Sequence, residues 1–287
     1  MPLSIAPISA ERSDCGEGPI WNPKTNTVSW VDIAGKKWHQ VELRGGALTK
    51  TFVVPTIIGA IVERSKGGYF AAVKEGYGSI NANGEYSPEM KFLPRDERMN
   101  DAKVDSGGRF WAGSTALDFT LGKGKLHVLE SGREDRIVET GLALPNGLGW
   151  SPDNKFLYFV DSMQRVMWRY DFDEVAGSIS NRKVLVVFPE DGSLPDGLCV
   201  ADDGSIFVAM WDGSRIEVFN ADGAARQTIA MPVKRPTSCT FVGANRDILA
   251  VTSAAGEQDL TKYPFSGFTL AVTGLPYTGP ASEIFHG

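Results

Sequence analysis

The chain has 287 residues, 42% of them hydrophobic, and carries a formal net charge of −6. An acidic chain without a Lys/Arg-rich run lacks the positive surface that a phosphate backbone requires, so nucleic acid is not an expected partner. No stretch approaches the roughly 20 apolar residues of a membrane-spanning helix, and residues 1–10 lack a basic region followed by a long apolar run. No membrane association is therefore expected, and the predicted location is the cytoplasm.

The N-terminal segment, residues 3–7, is predicted to form a single strand, and six stretches with a common pattern follow it. Each stretch has a turn and then a short apolar strand. Their first positions are separated by 41, 42, 46, 50 and 42 residues, a period typical of propeller and solenoid repeats. We call these six positions the column: Glu17, Ile58, Asn100, Asn146, Asp196 and Ser238.

Each repeat continues from its column strand through a turn rich in Gly, Asp or Asn into further strands. β-branched and aromatic residues dominate these later strands, as a half-buried pleated surface requires. The clearest second and third strands are predicted at residues 109–113, 156–161, 205–210, 166–172 and 215–220.

Four strands per repeat and six repeats predict an all-β fold, a six-bladed β-propeller that forms one domain over residues 1–287. Residues 3–7 are expected to pair with the C-terminal blade, because closing the ring removes two exposed sheet edges. Residues 117–125 and the long spacing between Asn146 and Asp196 are expected to contain loops.

The column is rich in side-chain oxygens. Equivalent positions of a closed radial array point at one axis, so the carboxylates of Glu17 and Asp196 are expected to meet the amides of Asn146 and Asn100. Such hard ligands suit Ca²⁺, Mg²⁺ or Mn²⁺, and mixed oxygen sites also hold Zn²⁺ or Fe²⁺. The alternative is that these residues cap turns or bind water. Crowded carboxylates repel unless a cation or proton compensates them, which favours a site for one divalent cation.

A cation held by three protein ligands can polarise an ester carbonyl, and Asp196 is the candidate base for the attacking water. Other hydrolytic designs are not supported, because no Gly-x-Ser-x-Gly or His-Glu-x-x-His motif occurs. A His-rich zinc site is not supported either, because none of the histidines is in the column. The histidines are His39, His127 and His286.

The remaining glycine and cysteine patterns do not predict a second site. Gly-Lys-Gly at 122–124 and Gly-Leu-Gly at 147–149 lack the third glycine of a dinucleotide fingerprint and are predicted to be turns. Cys15, Cys199 and Cys239 have no metal-binding spacing, and no base is indicated beside them. They are expected to pack as small apolar thiols near the column.

Five motifs in this chain resemble those of the regucalcin (senescence marker protein 30) and gluconolactonase family, in the same order and at the same spacing. The resemblance spans almost the whole sequence. The motifs are CGEGPIW at 15–21, RMNDAKVD at 98–105, PNGLGWS at 145–151, PDG at 195–197 and PTSC at 236–239.

This resemblance implies a six-bladed propeller that hydrolyses sugar lactones with one divalent cation. It implies that Glu17, Asn146 and Asp196 are the metal ligands and that Asp196 is also the base. It further implies that Arg98 and Asn100 contact the hydroxyl groups of a small sugar lactone, the expected partner.

Residues 118–127 depart from the family pattern, which has an acidic substrate contact in this loop. That contact is missing here or has moved to Asp118. Lys123 and Lys125 are then either solvated or positioned to meet an anionic group on an unusual lactone.

Three functions are compatible with these sequence features. The leading one is hydrolysis of an aldonolactone to the open-chain acid. The others are a related propeller hydrolase for esters or phosphotriesters, and a calcium-binding protein without enzymatic activity. The sequence leaves open whether the protein is a monomer or a dimer.

Overall fold

The computed structural model of the protein describes residues 2–43 and 49–287. Every named strand in those residues belongs to one of six four-stranded antiparallel sheets, and the named elements include no helix. The sheets are the blades of a β-propeller, so the predicted all-β class with six four-stranded blades is confirmed. Accordingly, no helix in the part of the chain that the structure describes has the length and hydropathy needed to cross a membrane.

The chain divides into two compact units, and each contains three blades. The first unit comprises the described residues up to 53 together with residues 189–282. Its blade 1 contains β2 (Gly16–Asn22), β3 (Thr27–Asp32), β4 (Lys37–Glu42) and β5 (Thr49–Val53). Blade 5 contains β18 (Leu194–Val200), β19 (Ile206–Trp211), β20 (Arg215–Phe219) and β21 (Ala225–Ala230). Blade 6 contains β22 (Pro236–Val242), β23 (Ile248–Ser253), β24 (Leu270–Thr273) and β1 (Ser4–Pro7).

The second unit comprises residues 54–188 and 283–287. Its blade 2 contains β6 (Ile58–Glu63), β7 (Tyr69–Val73), β8 (Gly76–Ile80) and β9 (Tyr86–Lys91). Blade 3 contains β10 (Glu97–Val104), β11 (Phe110–Ala116), β12 (Gly124–Leu129) and β13 (Arg136–Leu142). Blade 4 contains β14 (Pro145–Trp150), β15 (Phe156–Asp161), β16 (Val166–Asp173) and β17 (Ser178–Val187).

The N-terminal strand completes the last blade, as the sequence predicts. β1 pairs antiparallel with β24, from Ser4 opposite Thr273 to Pro7 opposite Leu270. The sheet order is β1–β24–β23–β22, so the first strand of the chain is the outermost strand of a blade built from the C-terminal region. This pairing covers an edge of β24 that would otherwise expose unpaired backbone groups.

Burial decreases from the inner to the outer strands of a blade. β11 is buried at all seven positions, whereas β21 exposes five of its six residues. Inner strands are covered on both faces, which explains why they read as apolar runs rather than as alternating patterns. In the first unit, for example, the ring of Phe207 meets Phe241 and Tyr277 edge-on, with centroids 5.3 and 5.1 Å away. Each such buried ring stabilises the fold by roughly 1.5–3 kcal/mol.

Two local expectations are wrong. The extra residues between Asn146 and Asp196 do not form a loop; they lengthen the outer hairpin of blade 4, in which β16 has 8 residues and β17 has 10. The Gly-Leu-Gly at 147–149 is not a turn but lies inside β14. Residues 117–123 do form a loop, and β12 begins at Gly124.

Candidate active site

Every column strand contains a β-bulge at its column residue or directly after it. In each of the six strands the pairing with the second strand slips by one residue there, so one residue is left outside the regular ladder. Such bulges bend a strand and redirect its side chains, and they are common beside functional sites. The slips lie between Glu17 and Ile20, Ile58 and Ala60, Met99 and Ala102, Pro145 and Leu148, Pro195 and Leu198, and Pro236 and Cys239.

Glycines make two of these bulges possible. Gly18 follows Glu17 and has a φ of 52°, in the left-handed region that other residues adopt with strain. Gly197 follows Asp196 and lies so close to Ser238 that a Cβ at this position would overlap that side chain. Sequence and packing therefore agree that a small residue must follow these two acidic positions.

In the first unit the column contributes two buried carboxylates. Glu17 and Asp196 are each 6% exposed, and Ser238 is 4% exposed. One Glu17 oxygen accepts a hydrogen bond from the Gly18 N–H at 2.9 Å.

In the second unit the column contributes two buried amides. Asn146 is 5% exposed and its Nδ2 donates to Ser162 Oγ at 3.1 Å. Asn100 is 6% exposed and its Nδ2 donates to the Pro145 carbonyl at 2.8 Å. Arg98 Nη1 donates to Asn100 Oδ1 at 2.7 Å. The structure therefore joins Arg98 and Asn100 directly and ties both to the backbone immediately before Asn146.

Two aspartates that sequence reasoning missed hold the chain as it enters the column strands. Asp32 accepts hydrogen bonds from the backbone N–H groups of Asp14 and Cys15, each at 3.0 Å, just before Glu17. Asp161 does the same before Asn146 and is fully buried. A signal was available, because each aspartate ends the second strand of its blade and lies 15 residues after its column residue.

Asp118, the candidate substrate contact, lies in the exposed loop after β11. Its carboxylate accepts hydrogen bonds from Thr120 Oγ1 at 2.7 Å and from the Thr120 N–H at 3.1 Å. These bonds favour the ionised form and lower the pKa of Asp118. The carboxylate is thus used to shape its own loop.

The two lysines of this region form ion pairs. Lys123 Nζ lies 3.1 Å from Asp96, and both side chains are largely exposed. Lys125 Nζ lies 3.3 Å from the buried carboxylate of Glu97. Both alternatives drawn from the sequence, solvation and contact with an anionic group of the substrate, stay predictions, because an ion pair with an acidic neighbour is compatible with either.

The side-chain oxygens of the column residues have the chemistry of ligands for a hard divalent cation. Among the described residues, no group of three or more His, Cys, Asp and Glu side chains could hold a metal, so a site built from such ligands alone is not present there. Glu17, Asn146 and Asp196 offer carboxylate and amide oxygens, all less than a tenth exposed. Such oxygens suit Ca²⁺, Mg²⁺ or Mn²⁺, and buried carboxylates are stabilised by a bound cation.

The second unit also contains a buried Ser-His-Asp arrangement. Ser114 Oγ lies 2.9 Å from His127 Nε2, and His127 Nδ1 lies 2.7 Å from Asp135. Tyr77 donates its hydroxyl proton to the same carboxylate at 2.7 Å, and burial followed by this negative charge raises the pKa of Tyr77. Ser114 is 0% exposed, so no substrate can reach its oxygen. The network stabilises β8, β11 and β12 rather than providing a nucleophile.

Two of the three cysteines are buried, as the sequence predicts. Cys199 and Cys239 are buried, with their sulfur atoms 3.5 Å apart, whereas Cys15 is partly exposed. All three are thiols rather than disulfides.

Comparison with known proteins places these features in a family. The family model described as the SMP-30/gluconolactonase/LRE-like region matches residues 15–255. The chain is 31% identical to regucalcin of Danio rerio, over 96% of each sequence. It is 33% identical to the pentonolactonase XacC of Haloferax volcanii, over 85% of this chain and 83% of that protein.

Solved structures with the same fold include a luciferin-regenerating enzyme, with a TM-score of 0.92 and 26% identity over the full length of both chains. A protein described as a calcium-binding regucalcin, from Agrobacterium tumefaciens, superposes with a TM-score of 0.93 at 22% identity, over 100% of this chain and 98% of that one. At that identity the likeness is one of fold alone.

Proposed function

The chain belongs to the SMP-30/gluconolactonase/LRE-like family, and on that premise we propose that it is an enzyme that hydrolyses lactones. We propose further that its substrate is a sugar-acid lactone, opened to the aldonic acid. The observation that carries this proposal is the family match over residues 15–255, which includes all five column residues with side-chain oxygens: Glu17, Asn100, Asn146, Asp196 and Ser238. The relative described as a pentonolactonase supports a sugar lactone as the substrate class.

In this proposal Glu17, Asn146 and Asp196 bind one divalent cation. When bound, the cation supplies Lewis-acid polarisation of the lactone carbonyl. Asp196 accepts a proton from the attacking water, whose oxygen forms a bond to the carbonyl carbon. The bond from that carbon to the ring oxygen then breaks, and the proton held by Asp196 passes to the leaving oxygen. The product is the open-chain hydroxy acid.

Arg98 and Asn100 are proposed to orient the ring hydroxyl groups. Their mutual hydrogen bond of 2.7 Å and the bond from Asn100 to the Pro145 carbonyl fix both side chains before substrate arrives. Such preorganisation lowers the entropic cost of holding the lactone in a reactive position. Asp118 is proposed as a further substrate contact, because its exposed carboxylate is fixed by Thr120 and kept ionised in the loop after β11.

A screen of lactones tests the proposal. The protein is stripped of metal with a chelator and reloaded separately with Ca²⁺, Mg²⁺, Mn²⁺, Zn²⁺ or Fe²⁺. Acid release from five- and six-carbon aldonolactones, neutral and acidic, is then followed by pH-stat titration. Chelator-sensitive hydrolysis that Asp196→Ala abolishes, with an unchanged circular dichroism spectrum, supports the mechanism. Normal hydrolysis by that variant would rule out Asp196 as the base.

A calcium-binding protein without enzymatic activity is the second candidate, favoured by the buried oxygens of Glu17, Asn146 and Asp196. It predicts stabilisation by Ca²⁺ without turnover of any lactone, because a ligand that binds only the folded state raises its stability. Aryl esters and phosphotriesters, assayed beside the lactones, test the related hydrolase activity. A cytoplasmic location and the absence of nucleic acid and membrane partners remain part of the proposal, to be checked by cell fractionation.

A further inference from the structure

The backbone that leads into Asn146 has all of its polar groups paired. Asp161 accepts hydrogen bonds from the N–H groups of Ala143 and Leu144, at 2.8 and 3.1 Å. The third residue, Pro145, has no backbone N–H group that needs an acceptor. The donors of this short segment are therefore all accounted for by one buried carboxylate.

The three carbonyl oxygens of the same segment are paired as well. Thr115 Oγ1, the Ser162 N–H and Asn100 Nδ2 donate to successive carbonyls, at 2.7, 3.1 and 2.8 Å. The acceptors are the carbonyls of Ala143, Leu144 and Pro145. The Cα atom of Asn146 is thereby held by contacts from β11, from β10 and from the end of β15, so the position of its amide oxygen depends on the rotation of its side chain.

We propose that Ser162 is the positioning residue that sets this side-chain rotation. Its hydroxyl oxygen accepts a hydrogen bond from Asn146 Nδ2, and Asn146 Oδ1 is thereby presented as the ligand for the divalent cation. The hydrogen bond is 3.1 Å long, and Ser162 is 2% exposed. The backbone N–H of Ser162 donates to the Leu144 carbonyl, so the main chain of Ser162 is itself held against the start of β14. The inference rests on the proposed function, because it requires the cation.

An amide ligand needs such a partner more than a carboxylate does. The two ends of an asparagine side chain have nearly the same shape but opposite chemistry, since the oxygen accepts and the NH₂ group donates. An amide turned by 180° would direct two N–H dipoles towards the cation and repel it. Glu17 and Asp196 present an oxygen in either orientation, so among the three proposed ligands only Asn146 depends on an orienting contact.

Cation affinity measured by calorimetry on the metal-free protein tests the inference without using activity. Mn²⁺ is titrated into the wild type, Ser162→Ala and Ser162→Thr. Loss of an outer contact to a metal ligand typically weakens binding about 10- to 100-fold, and this is the loss expected for Ser162→Ala. Ser162→Thr keeps the hydroxyl group and should bind Mn²⁺ within about threefold of the wild type, as its donor and acceptor inventory is unchanged.

Ser151→Ala is the matched control. Ser151 directly follows β14 and is 6% exposed, and its hydroxyl accepts hydrogen bonds from the Lys155 and Phe156 N–H groups. The same chemical change at the other end of the strand should lower stability and leave Mn²⁺ affinity unchanged. An equal loss of affinity in Ser151→Ala would show that general destabilisation, rather than the Asn146 contact, is responsible.

Asn146→Asp provides a second, sharper test. A carboxylate has no wrong end, so Ser162→Ala should weaken Mn²⁺ binding much less in the Asn146→Asp background than in the wild type. Equal losses in both backgrounds, or wild-type affinity in Ser162→Ala, would overturn the positioning role. If the wild type itself binds none of the divalent cations, the proposed function fails and the inference fails with it, whereas wild-type binding that is insensitive to Ser162 refutes the inference alone.

Discussion

Asp161→Ala tests whether the segment before Asn146 is held as tightly as its hydrogen bonds indicate. The carboxylate accepts the Ala143 and Leu144 N–H groups and two bonds from Gln164, and it is 0% exposed. The side chain of Gln164 can turn to solvent and its half-buried backbone N–H can bind water, but the N–H groups of Ala143 and Leu144 would stay in place without an acceptor. Each buried donor left unsatisfied costs about 1–3 kcal/mol, so the free energy of unfolding should fall by about 2–6 kcal/mol.

The measurement is urea unfolding of the full chain, followed in parallel by tryptophan fluorescence and circular dichroism. Asp161→Asn retains one acceptor oxygen and places an NH₂ group towards a backbone donor, so it should lose about half as much. Asp153→Ala is the control, because the carboxylate of Asp153 also accepts hydrogen bonds in a β-hairpin turn but is exposed to solvent. Surface changes of this kind usually alter stability by less than about 0.5 kcal/mol.

A loss below about 1 kcal/mol in Asp161→Ala would refute this reasoning, since it falls under the cost of even one unsatisfied donor. It would mean that water enters and satisfies both N–H groups. In that case the segment is not rigid, and the geometry of Asn146 cannot depend on it.

Three further predictions follow from burial and charge. Ser114→Ala should lower the free energy of unfolding by about 1–3 kcal/mol and leave the turnover number for the lactone within about twofold; loss of turnover with an intact fold would instead make this buried serine a nucleophile. Hydrogen bonds from Ser193, together with Arg215, lower the pKa of Asp191 to about 2 from 3.8. The stabilisation that Asp191 provides is therefore present above about pH 4 and lost as the pH falls towards 2, so Asp191→Asn should unfold in urea with a smaller difference between pH 5 and pH 2.5 than the wild type. Finally, a thiol-reactive disulfide reagent should label Cys15 quickly in the native protein and reach Cys199 and Cys239 only after denaturation; rapid labelling of all three would contradict their burial.

The repeat could be found from the sequence because each inner strand is buried by its neighbours and must therefore be apolar over four or five residues. The turn chemistry at the Gly, Asp and Asn clusters then separates one strand from the next. Ring closure likewise predicts that residues 3–7 pair with the C-terminal blade, and β1 pairs with β24 there. Fold class and blade number thus follow from local patterns that recur.

The path of the chain between Asn146 and Asp196 could not be predicted in the same way. Spacing counts residues but does not say whether extra ones join a loop or a strand. In the structure they lengthen β16 and β17, whose pairing runs from Val166 opposite Val187 to Asp173 opposite Ser178 and contains two register shifts. The two shifts accommodate the extra residues of β17. They depend on packing between the two strands, which cannot be inferred from the sequence of either strand alone.

Some buried contacts of the site are made by residues that recur at the same place in several blades, and others are made by residues that occur in one blade alone. Asp32 and Asp161 follow their column residues by the same 15 positions, so the period that predicts the blades could also have identified them. Thr115 occupies the same place, 15 residues after Asn100. Ser162 could not be found in this way, because it lies one residue beyond that place and only the register of its blade brings its hydroxyl group to Asn146. A side chain that acts once per blade leaves a periodic signal, whereas one that orients a single ligand leaves none. For that reason the contacts that would distinguish one member of this family from another are expected among the non-repeating residues around Asn146.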